Sequence, residues 1–375
     1  MQKKIIIIIM IILLIGITGC SLKKGGNNTS SSTTNNLLSY NELFSDRDLE
    51  NSPDLSDATT YTIKDNDTIT INQEGVYIIE GDASNSEIIV DVDDDSKVQL
   101  VLNGVTIENE NKPAIYVKNA DKVFVTLQGN NSLSVTGSFT SDGETSLDAV
   151  IFSKDDLIIN GEGNLTVESS ANGITSKDDL KITGGIINVT SQEDALEANN
   201  GIAIAGGEIT INSEKDGLHA EDSEDDSVGY IYITNATLDI TASDDALHAI
   251  TVVEIDGGSI TTNSREGIEG TYIQINAGTI TIKATDDGIN AAEQSTKYEA
   301  TVEINAGEIS INMGQGDTDA IDSNGNLYLN GGEITITAQS PFDYDGEGKL
   351  NGATVIVNGE KISELTNQAV GGGPR

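Results

Sequence analysis

The chain has 375 residues and a formal net charge of −41, from 61 acidic and 20 basic residues. This balance argues against a nucleic-acid partner, because phosphate binding needs clustered lysine and arginine. The single cysteine excludes a disulfide framework and a cysteine-based metal site. Stability must come from packing and hydrogen bonds, and from any bound cations that relieve the self-repulsion of so acidic a chain.

The segment 1–20 is typical of a lipoprotein signal peptide. Lys3 and Lys4 precede an apolar run at positions 5–17, which is too short to span a bilayer. The run leads into Ile17-Thr18-Gly19-Cys20, which resembles a lipobox, where a signal peptidase cleaves before the cysteine and the sulfur is acylated. We expect a lipidated Cys20 and an extracellular protein anchored to the cell membrane. An ordinary signal peptide with a chance cysteine is the alternative.

Composition divides the remaining chain into four parts. Residues 21–58 are predicted to be a flexible tether with a candidate cap, because Gly, Asn, Ser and Thr dominate their beginning. Residues 59–146 are β-rich but irregular, and residues 147–360 repeat regularly. Residues 361–375 are expected to be a disordered tail.

The regular region repeats about every 21–24 residues. Each copy has two short alternating strands joined by a Gly-Gly or Ala-Gly pair, as at 180–189 and 202–211, and then a third short strand, as at 245–249. Alternation places Ile, Val and Leu on one face, and glycine supplies the left-handed backbone of a sharp corner. One coil cannot bury its apolar face alone, but a stack can. The repeat therefore predicts an all-β, right-handed parallel β-helix (solenoid) with three short strands per coil.

Stacked coils would bring acids that are distant in sequence to about 4.8 Å from one another. The residue that opens each third strand is acidic: Asp194, Asp216, Asp245, Glu266, Asp287 and Asp319. Three residues further on stand Glu197, His219, His248, Glu269, Asn290 and Asp322. The residues just before the first set are Glu193, Lys215, Asp244, Arg265, Asp286 and Thr318. Two carboxylates about 5 Å apart repel by roughly 1 kcal/mol even in bulk water, so these rows need compensation.

Three explanations of the rows stay open. The carboxylates cap turns, they are offset by Lys215 and Arg265, or they hold Ca²⁺, which takes six to eight oxygen ligands. Doubled acids favour several calcium ions, because a turn needs only one acid. Two earlier doublets form either a separate cation site or solvated turns. The candidate calcium ligands are Asp194, Glu197, Asp216, Asp244, Asp245, Glu266, Glu269, Asp286, Asp287, Asp319, Asp322, Asp155, Asp156, Asp178 and Asp179.

Two further features belong to the same edge. His219 and His248 would be neighbours on adjacent coils, and we interpret them as partly exposed ladder residues, with a transition-metal pair as the alternative. Insertions at 221–229 and 293–300 lengthen the turn after the third strand. They are expected to wall one side of a groove over the acidic rows, unless they are tolerated loop variation.

Four segments carry a family resemblance: DDSKVQLVLNGV (94–105), AIYVKNADKV (114–123), SKDDLKITGG (176–185) and FDYDG (342–346). In these segments the chain resembles bacterial surface carbohydrate-binding domain proteins with a right-handed parallel β-helix, which are related in fold to family 9 pectate lyases. The resemblance extends over residues 59–359. It implies binding of pectic acid and cellulose with bound calcium and without firm catalytic activity. It identifies no sugar-contacting residues.

The sequence thus predicts a non-catalytic surface protein that binds an acidic plant cell-wall glycan, such as polygalacturonate, through calcium. Cellulose is a second candidate ligand, although the chain has no tryptophan. One alternative is a calcium-dependent polysaccharide lyase, in which Arg265 or Lys215 would remove the proton beside the uronate carboxylate. The other alternative is a structural adhesin that recognises a protein.

Overall fold

The computed structural model describes residues 36–143, 145–314 and 318–367. The predicted signal peptide, Cys20, the first part of the tether and the end of the tail lie outside these residues. The described chain has one short helix, α1 (Tyr40–Leu43), followed by 31 strands. No helix within this part of the chain has the length and apolar character needed to cross a membrane.

The strands in chain order are β1 (Thr59–Thr62), β2 (Thr68–Ile71), β3 (Gly75–Ser84), β4 (Glu87–Asp91), β5 (Lys97–Asn109), β6 (Ile115–Asn119), β7 (Lys122–Gln128), β8 (Asn130–Val135), β9 (Ala149–Ser153), β10 (Asp156–Gly161), β11 (Asn164–Ser169), β12 (Asn172–Ser176), β13 (Asp179–Ile182), β14 (Ile186–Ser191), β15 (Leu196–Ala198), β16 (Gly201–Ile204), β17 (Glu208–Ser213), β18 (Leu218–Ala220), β19 (Tyr230–Ile233), β20 (Thr237–Ala242), β21 (Asp245–Ser264), β22 (Glu266–Ala284), β23 (Ile289–Ala291), β24 (Thr301–Ile304), β25 (Glu308–Met313), β26 (Ile321–Ser323), β27 (Asn326–Leu329), β28 (Glu333–Thr337), β29 (Gly348–Leu350), β30 (Thr354–Val357) and β31 (Glu360–Lys361).

Parallel pairing between strands that are distant in sequence organises the fold. One series runs β5–β7–β10–β13–β16–β19–β21. A second series runs β5–β8–β11–β14–β17–β20–β21. Because both series share β5 and β21, the pairing closes into a ring of twelve parallel strands, and the other described strands are additional to it. Only the pair β30–β31 is antiparallel among the described strands.

The predicted open right-handed parallel β-helix solenoid is therefore wrong, although the all-β class is right. The pairing forms one closed parallel barrel with extra strands because β5, β21 and β22 continue through corners where short separate strands were expected. The predicted spacing of the repeat is not uniform either. Within residues 147–360, Ile202 pairs with Ile231 and Tyr272 pairs with Thr301, a separation of 29 residues in each case (231 − 202 and 301 − 272).

Alternating side chains build the core, as the sequence pattern indicates. In β14, β17 and β20 every second residue points inward, and Ile187, Ile209 and Leu238 are at most 1% exposed. Full burial of such a side chain contributes about 1.5–3 kcal/mol. Glycine at the corners is required, as predicted. Gly258 has φ of 95°, and a Cβ there would stand 2.6 Å from the carbonyl oxygen of Ala236.

Residues 36–51 are an ordered segment that lies against the outside of the strands, although the sequence assigned them to the tether and cap. Phe44 packs against Tyr232, which is 1% exposed although it points away from the main core. The backbone N–H of Leu38 donates a hydrogen bond to Glu254 Oε2 at 2.7 Å. This part of the predicted flexible tether is thus fixed by packing and hydrogen bonds.

Candidate functional site

In-register pairing places the acids of the third strands side by side. Leu218 pairs with Leu247, and Asp245 pairs with Glu266. The acid row is Asp194, Asp216, Asp245, Glu266, Asp287 and Asp319. All but Asp319 are at least nine-tenths buried. Burial of so many carboxylates is costly unless each has a partner, so the partners decide what the row can do.

Turn capping accounts for one oxygen of several acids in the row. Asp194 Oδ1 accepts the backbone N–H of Asp216 at 3.0 Å, and Asp216 Oδ1 accepts that of Asp245 at 2.8 Å. Asp287 Oδ1 accepts the backbone N–H of Asp319 at 3.1 Å. The predicted capping role is therefore present. Because it uses one oxygen of each carboxylate, it leaves the second oxygen for another partner.

The two histidines point their Nδ1 atoms at these second oxygens. His219 Nδ1 lies 2.7 Å from Asp216 Oδ2, and His248 Nδ1 lies 3.0 Å from Asp245 Oδ2. Their rings are stacked, with centroids 4.9 Å apart and an interplanar angle of 4°. They are therefore neighbours in space, as the sequence predicts. Burial lowers the pKa of His219, but the contacts with Asp216 and Asp194 outweigh it and raise that pKa to about 9.

Arg265 is surrounded by carboxylates. Its guanidinium pairs with Asp244, with Asp245 at 3.3 Å, with Glu266 at 2.7 Å and with Asp286 at 2.7 Å. Despite partial burial, these acids raise the pKa of the guanidinium above its ordinary value. Arg265 therefore stays protonated and compensates the middle of the row, which disfavours it as the base of a lyase.

The other predicted base, Lys215, is half exposed and lies 3.4 Å from Glu193. Burial opposes its charge, but the neighbouring acids raise its pKa above the ordinary value. A lysine that holds its proton more tightly than usual is a poor general base at neutral pH. Lys215 thus has the character of a surface ion-pair partner.

Three groups of side chains along the row bring ligand atoms within 4.8 Å of one another. The groups are Asp194, Asp216 and His219; Asp216, Asp245 and His248; and Asp245, Glu266 and Glu269. The first two mix imidazole nitrogen with carboxylate oxygen. The third, which we call the oxygen cluster, offers carboxylate oxygen alone, the ligand type that Ca²⁺ prefers.

Protonation equilibria in and beside the oxygen cluster are strongly shifted. Burial and a hydrogen bond with Asp245 raise the pKa of Glu269 to about 8, against the opposing charge of His248. Burial and the nearby charges of Asp322 and Glu266 raise the pKa of Asp287 to about 7. Without a further cation these carboxylates keep protons to hold down their mutual repulsion.

Two amides that the sequence did not single out as ligands complete the surroundings of the oxygen cluster. Asn290 Nδ2 donates to Glu266 at 3.0 Å, and Gln294 Nε2 donates to Glu269 at 2.6 Å. The carbonyl oxygens of both amides are buried without a hydrogen-bond partner. Gln294 lies in the insertion at 293–300, where no repeat places it beside the row, so only the structure could reveal it.

The two predicted insertions dock on each other beside the row. Thr296 Oγ1 donates to Asp226 Oδ2 at 3.0 Å, and Lys297 Nζ donates to the carbonyl of Ser227 at 2.9 Å. They border an open cavity of about 460 Å³ whose lining includes His248 and Gln294. The predicted wall beside the acidic row is therefore present, and it forms a polar, acidic pocket.

The two earlier doublets have cationic partners of their own. Lys122 Nζ lies 3.3 Å from Asp156, and Lys181 Nζ lies 3.3 Å from Asp179. Asp178 bonds to Asn200, and Asp155 accepts the backbone N–H of Ala120 at 2.9 Å. These four acids, which we call the doublet cluster, are thus compensated by lysine or used as caps.

The remaining predicted ligands lie at the ends or rim of the row. Glu197 accepts hydrogen bonds from Asn172 at 2.7 Å and Thr175 at 2.8 Å and pairs with Lys177 at 3.1 Å. Asp322 faces Asp287, whose pKa it raises. Glu197 is therefore occupied by these partners, and Asp322 adds negative charge near Asp287.

Comparison with known proteins connects this geometry to a family. A family described as carbohydrate-binding domain-containing protein matches residues 65–317 and 262–368. A protein with that description from Acetivibrio thermocellus is 44% identical over 197 residues, covering 51% of this chain and 69% of its own length. A solved structure, the polysaccharide lyase-like protein from C. thermocellum as a gadolinium derivative, is 30% identical. It has a TM-score of 0.55 and covers 58% of this chain and 96% of its own.

Proposed function

Since the chain belongs to the carbohydrate-binding domain-containing protein family, we propose that it is a non-catalytic polysaccharide-binding protein that holds acidic glycan through Ca²⁺ on the acid row. Polygalacturonate is the proposed ligand. The observation that carries the proposal is the oxygen cluster, in which Asp245, Glu266 and Glu269 bring carboxylate oxygens within 4.8 Å of one another.

The residues present fit a calcium ion. Three carboxylates supply hard oxygen donors, the amides of Asn290 and Gln294 hold two of those carboxylates in place, and water would complete the six to eight ligands that Ca²⁺ takes. The raised pKa of Glu269 supports the same interpretation. A carboxyl group that keeps its proton because of burial and nearby negative charge can exchange that proton for a bound cation.

Calcium would also explain how so acidic a protein binds an acidic glycan. At a net charge of −41 the chain repels polygalacturonate, and a divalent cation with an open ligand position can bridge the two sets of carboxylates. The strands of the protein would hold the oxygen cluster in place, and the open pocket lined by His248 and Gln294 would give the glycan access to it.

A lyase reaction is disfavoured by the state of both proposed bases. Arg265 is held by four carboxylates, and the pKa of Lys215 is raised. Cellulose remains a weaker second ligand. Tyr232 is covered by residues 36–51, and Tyr272 meets Tyr298 edge-on rather than in one plane.

The test is co-sedimentation of the purified protein with insoluble polygalacturonate in calcium and in chelator. We expect binding that needs calcium and yields no unsaturated, ultraviolet-absorbing product. Glu269→Gln should weaken that binding at least about tenfold. Asp239→Asn, which removes an exposed acid from another face, is the matched control and should bind as the natural chain does. Calcium-independent binding, or release of unsaturated product, would contradict the proposal.

We also propose that the protein is held at the cell surface by a lipid on Cys20. The motif at 17–20 supports this, and Cys20→Ser should release the protein from the membrane fraction into the medium. Retention of that variant in the membrane would refute the anchor.

A further inference from the structure

The histidine half of the acid row has a different ligand chemistry from the oxygen cluster. His219 and His248 are the only histidines in the chain, and both direct Nδ1 at buried carboxylates. Each belongs to a group whose ligand atoms lie within 4.8 Å of one another. Imidazole nitrogen suits zinc, copper and nickel, whereas Ca²⁺ and Mg²⁺ are bound by oxygen.

We propose that the group of Asp216, Asp245 and His248, with Glu269 beside it, is a binding site for a borderline transition-metal dication such as Zn²⁺. This site goes beyond the proposed glycan-binding function and does not depend on it. The equivalent group one strand away, with His219, is a second and weaker position for the same class of ion.

Distances around His248 match the size of a tetrahedral ion. Ligand atoms at 2.0–2.2 Å from zinc stand about 3.3 Å from one another. His248 Nδ1 lies 3.0 Å from Asp245 Oδ2, 3.3 Å from Glu269 Oε2 and 3.9 Å from Asp216 Oδ2. His248 Nδ1 therefore already stands at about the spacing of neighbouring zinc ligands from one oxygen each of Asp245 and Glu269, and the Asp216 oxygen lies somewhat further away.

The neighbouring histidine shows the outer contact that metal-bound imidazoles use. His219 turns Nδ1 toward Asp216 and Asp194, and its Nε2 lies 3.1 Å from Glu221 Oε2. A carboxylate on the far nitrogen fixes the tautomer and orientation of a metal-binding histidine. This contact comes from the insertion at 221–229, which is independent of the repeat that stacks the acids.

An ion has a route to the site from solvent. The cavity between the docked insertions is lined by His248, Glu221, Asp222 and Asp226 among others. Its acidic lining attracts cations and raises their local concentration.

Isothermal titration of the purified protein with ZnCl₂ tests the site. We expect saturable zinc binding that is at least about tenfold weaker in His248→Gln, and that excess calcium weakens because the two sites share Asp245 and Glu269. His219→Gln should reduce the zinc affinity of the His248 site by a smaller factor.

Asp239→Asn is the matched control, because it removes one acid outside the row and should leave zinc affinity unchanged within about twofold. Absence of saturable zinc binding, or equal affinity in the double variant of both histidines, would overturn the proposal. Should a variant fail to fold, anomalous diffraction at the zinc edge from the natural chain decides. A peak beside His248 Nδ1 supports the site, and a peak only elsewhere overturns it. If the natural chain binds zinc but does not bind polygalacturonate, the proposed glycan-binding function is refuted and the zinc site is not.

Discussion

The acid row and the doublet cluster arise from the same sequence signal, yet the structure treats them differently. Both contain doubled acids at turns, and both supplied candidate calcium ligands, with capped or solvated turns as the alternative. In the doublet cluster Lys122 and Lys181 pair with Asp156 and Asp179. In the row, the oxygen cluster keeps three carboxylates together with Arg265 and His248 beside them and no lysine among their ion-pair partners in the described residues. A cation site therefore needs acids that the chain's own lysines do not neutralise.

We expect the largest effect from removing a lysine that pairs with the doublet cluster. Lys122→Ala leaves Asp48, 1% exposed, and Asp156 without their shared partner, and loss of one partner of a buried pair costs about 3 kcal/mol. Urea unfolding measures this free energy. The matched control is Lys97→Ala, whose pair with Asp121 is exposed, with a change below about 0.5 kcal/mol. If both variants lost the same free energy of unfolding, the doublet cluster would not depend on its lysine partners as described.

Calcium should stabilise the folded protein through the acid row and not through the doublet cluster. At a calcium concentration 100 times Kd, binding to the folded state adds about 2.7 kcal/mol to the free energy of unfolding. We expect Asp245→Asn with Glu269→Gln to lose this gain, measured as the calcium-induced rise in Tm. Asp178→Asn should keep it. An unchanged rise in the double variant would place calcium elsewhere.

Without metal, stability should fall as pH rises from about 5 to about 9. Asp287 and Glu269 have folded-state pKa values of about 7 and 8, raised above 3.8 and 4.5, so the folded state binds more protons between those limits. Their contribution is present at low pH and is lost as pH rises through the folded pKa values. His219, raised to about 9 from 6.5, acts in the same direction.

We expect a fall on the order of 2 kcal/mol in the free energy of unfolding across this range. Glu269→Gln should flatten part of the curve, because glutamine cannot titrate, and saturating calcium should flatten it as well. Chelator-treated protein followed by urea unfolding at several pH values measures the effect. Stability that rises with pH would contradict the assignment of these carboxyl groups.

The smallest effect is expected at Lys215. Its pair with Glu193 is exposed on both sides, so Lys215→Ala should change stability by less than about 0.5 kcal/mol. Glycan binding should also stay within about twofold of the natural chain. Loss of a measurable lyase activity in this variant would instead restore Lys215 as a catalytic base.

The sequence was sufficient for what depends on local periodicity. Alternation placed Ile187 and Ile209 inside, and the repeat brought Asp245 beside Glu266 and His219 beside His248. β21 continues through its corners while it pairs with β22 along most of its length, with shifts of register at those corners. Residue spacing does not encode that continuity, so the closed ring of strands was missed.

The sequence also did not show which side chains pair with the buried carboxylates. Lys122 meets Asp156 across the pairing of β7 with β10, and Gln294 meets Glu269 from an irregular insertion. The first contact joins the irregular region to the regular one and the second comes from an insertion, so the repeat of 21–24 residues predicts neither. The ordered position of residues 36–51 likewise depends on Phe44 fitting beside Tyr232, which composition alone does not indicate.

The most direct measurement is the structure of crystals grown in calcium, with anomalous scattering used to locate the ions. We predict an ion within about 2.3–2.6 Å of carboxylate oxygens from Asp245, Glu266 and Glu269 and none between Asp156 and Asp179. Water alone among the oxygen cluster, with its carboxylates bonded only to Arg265 and backbone, would contradict it.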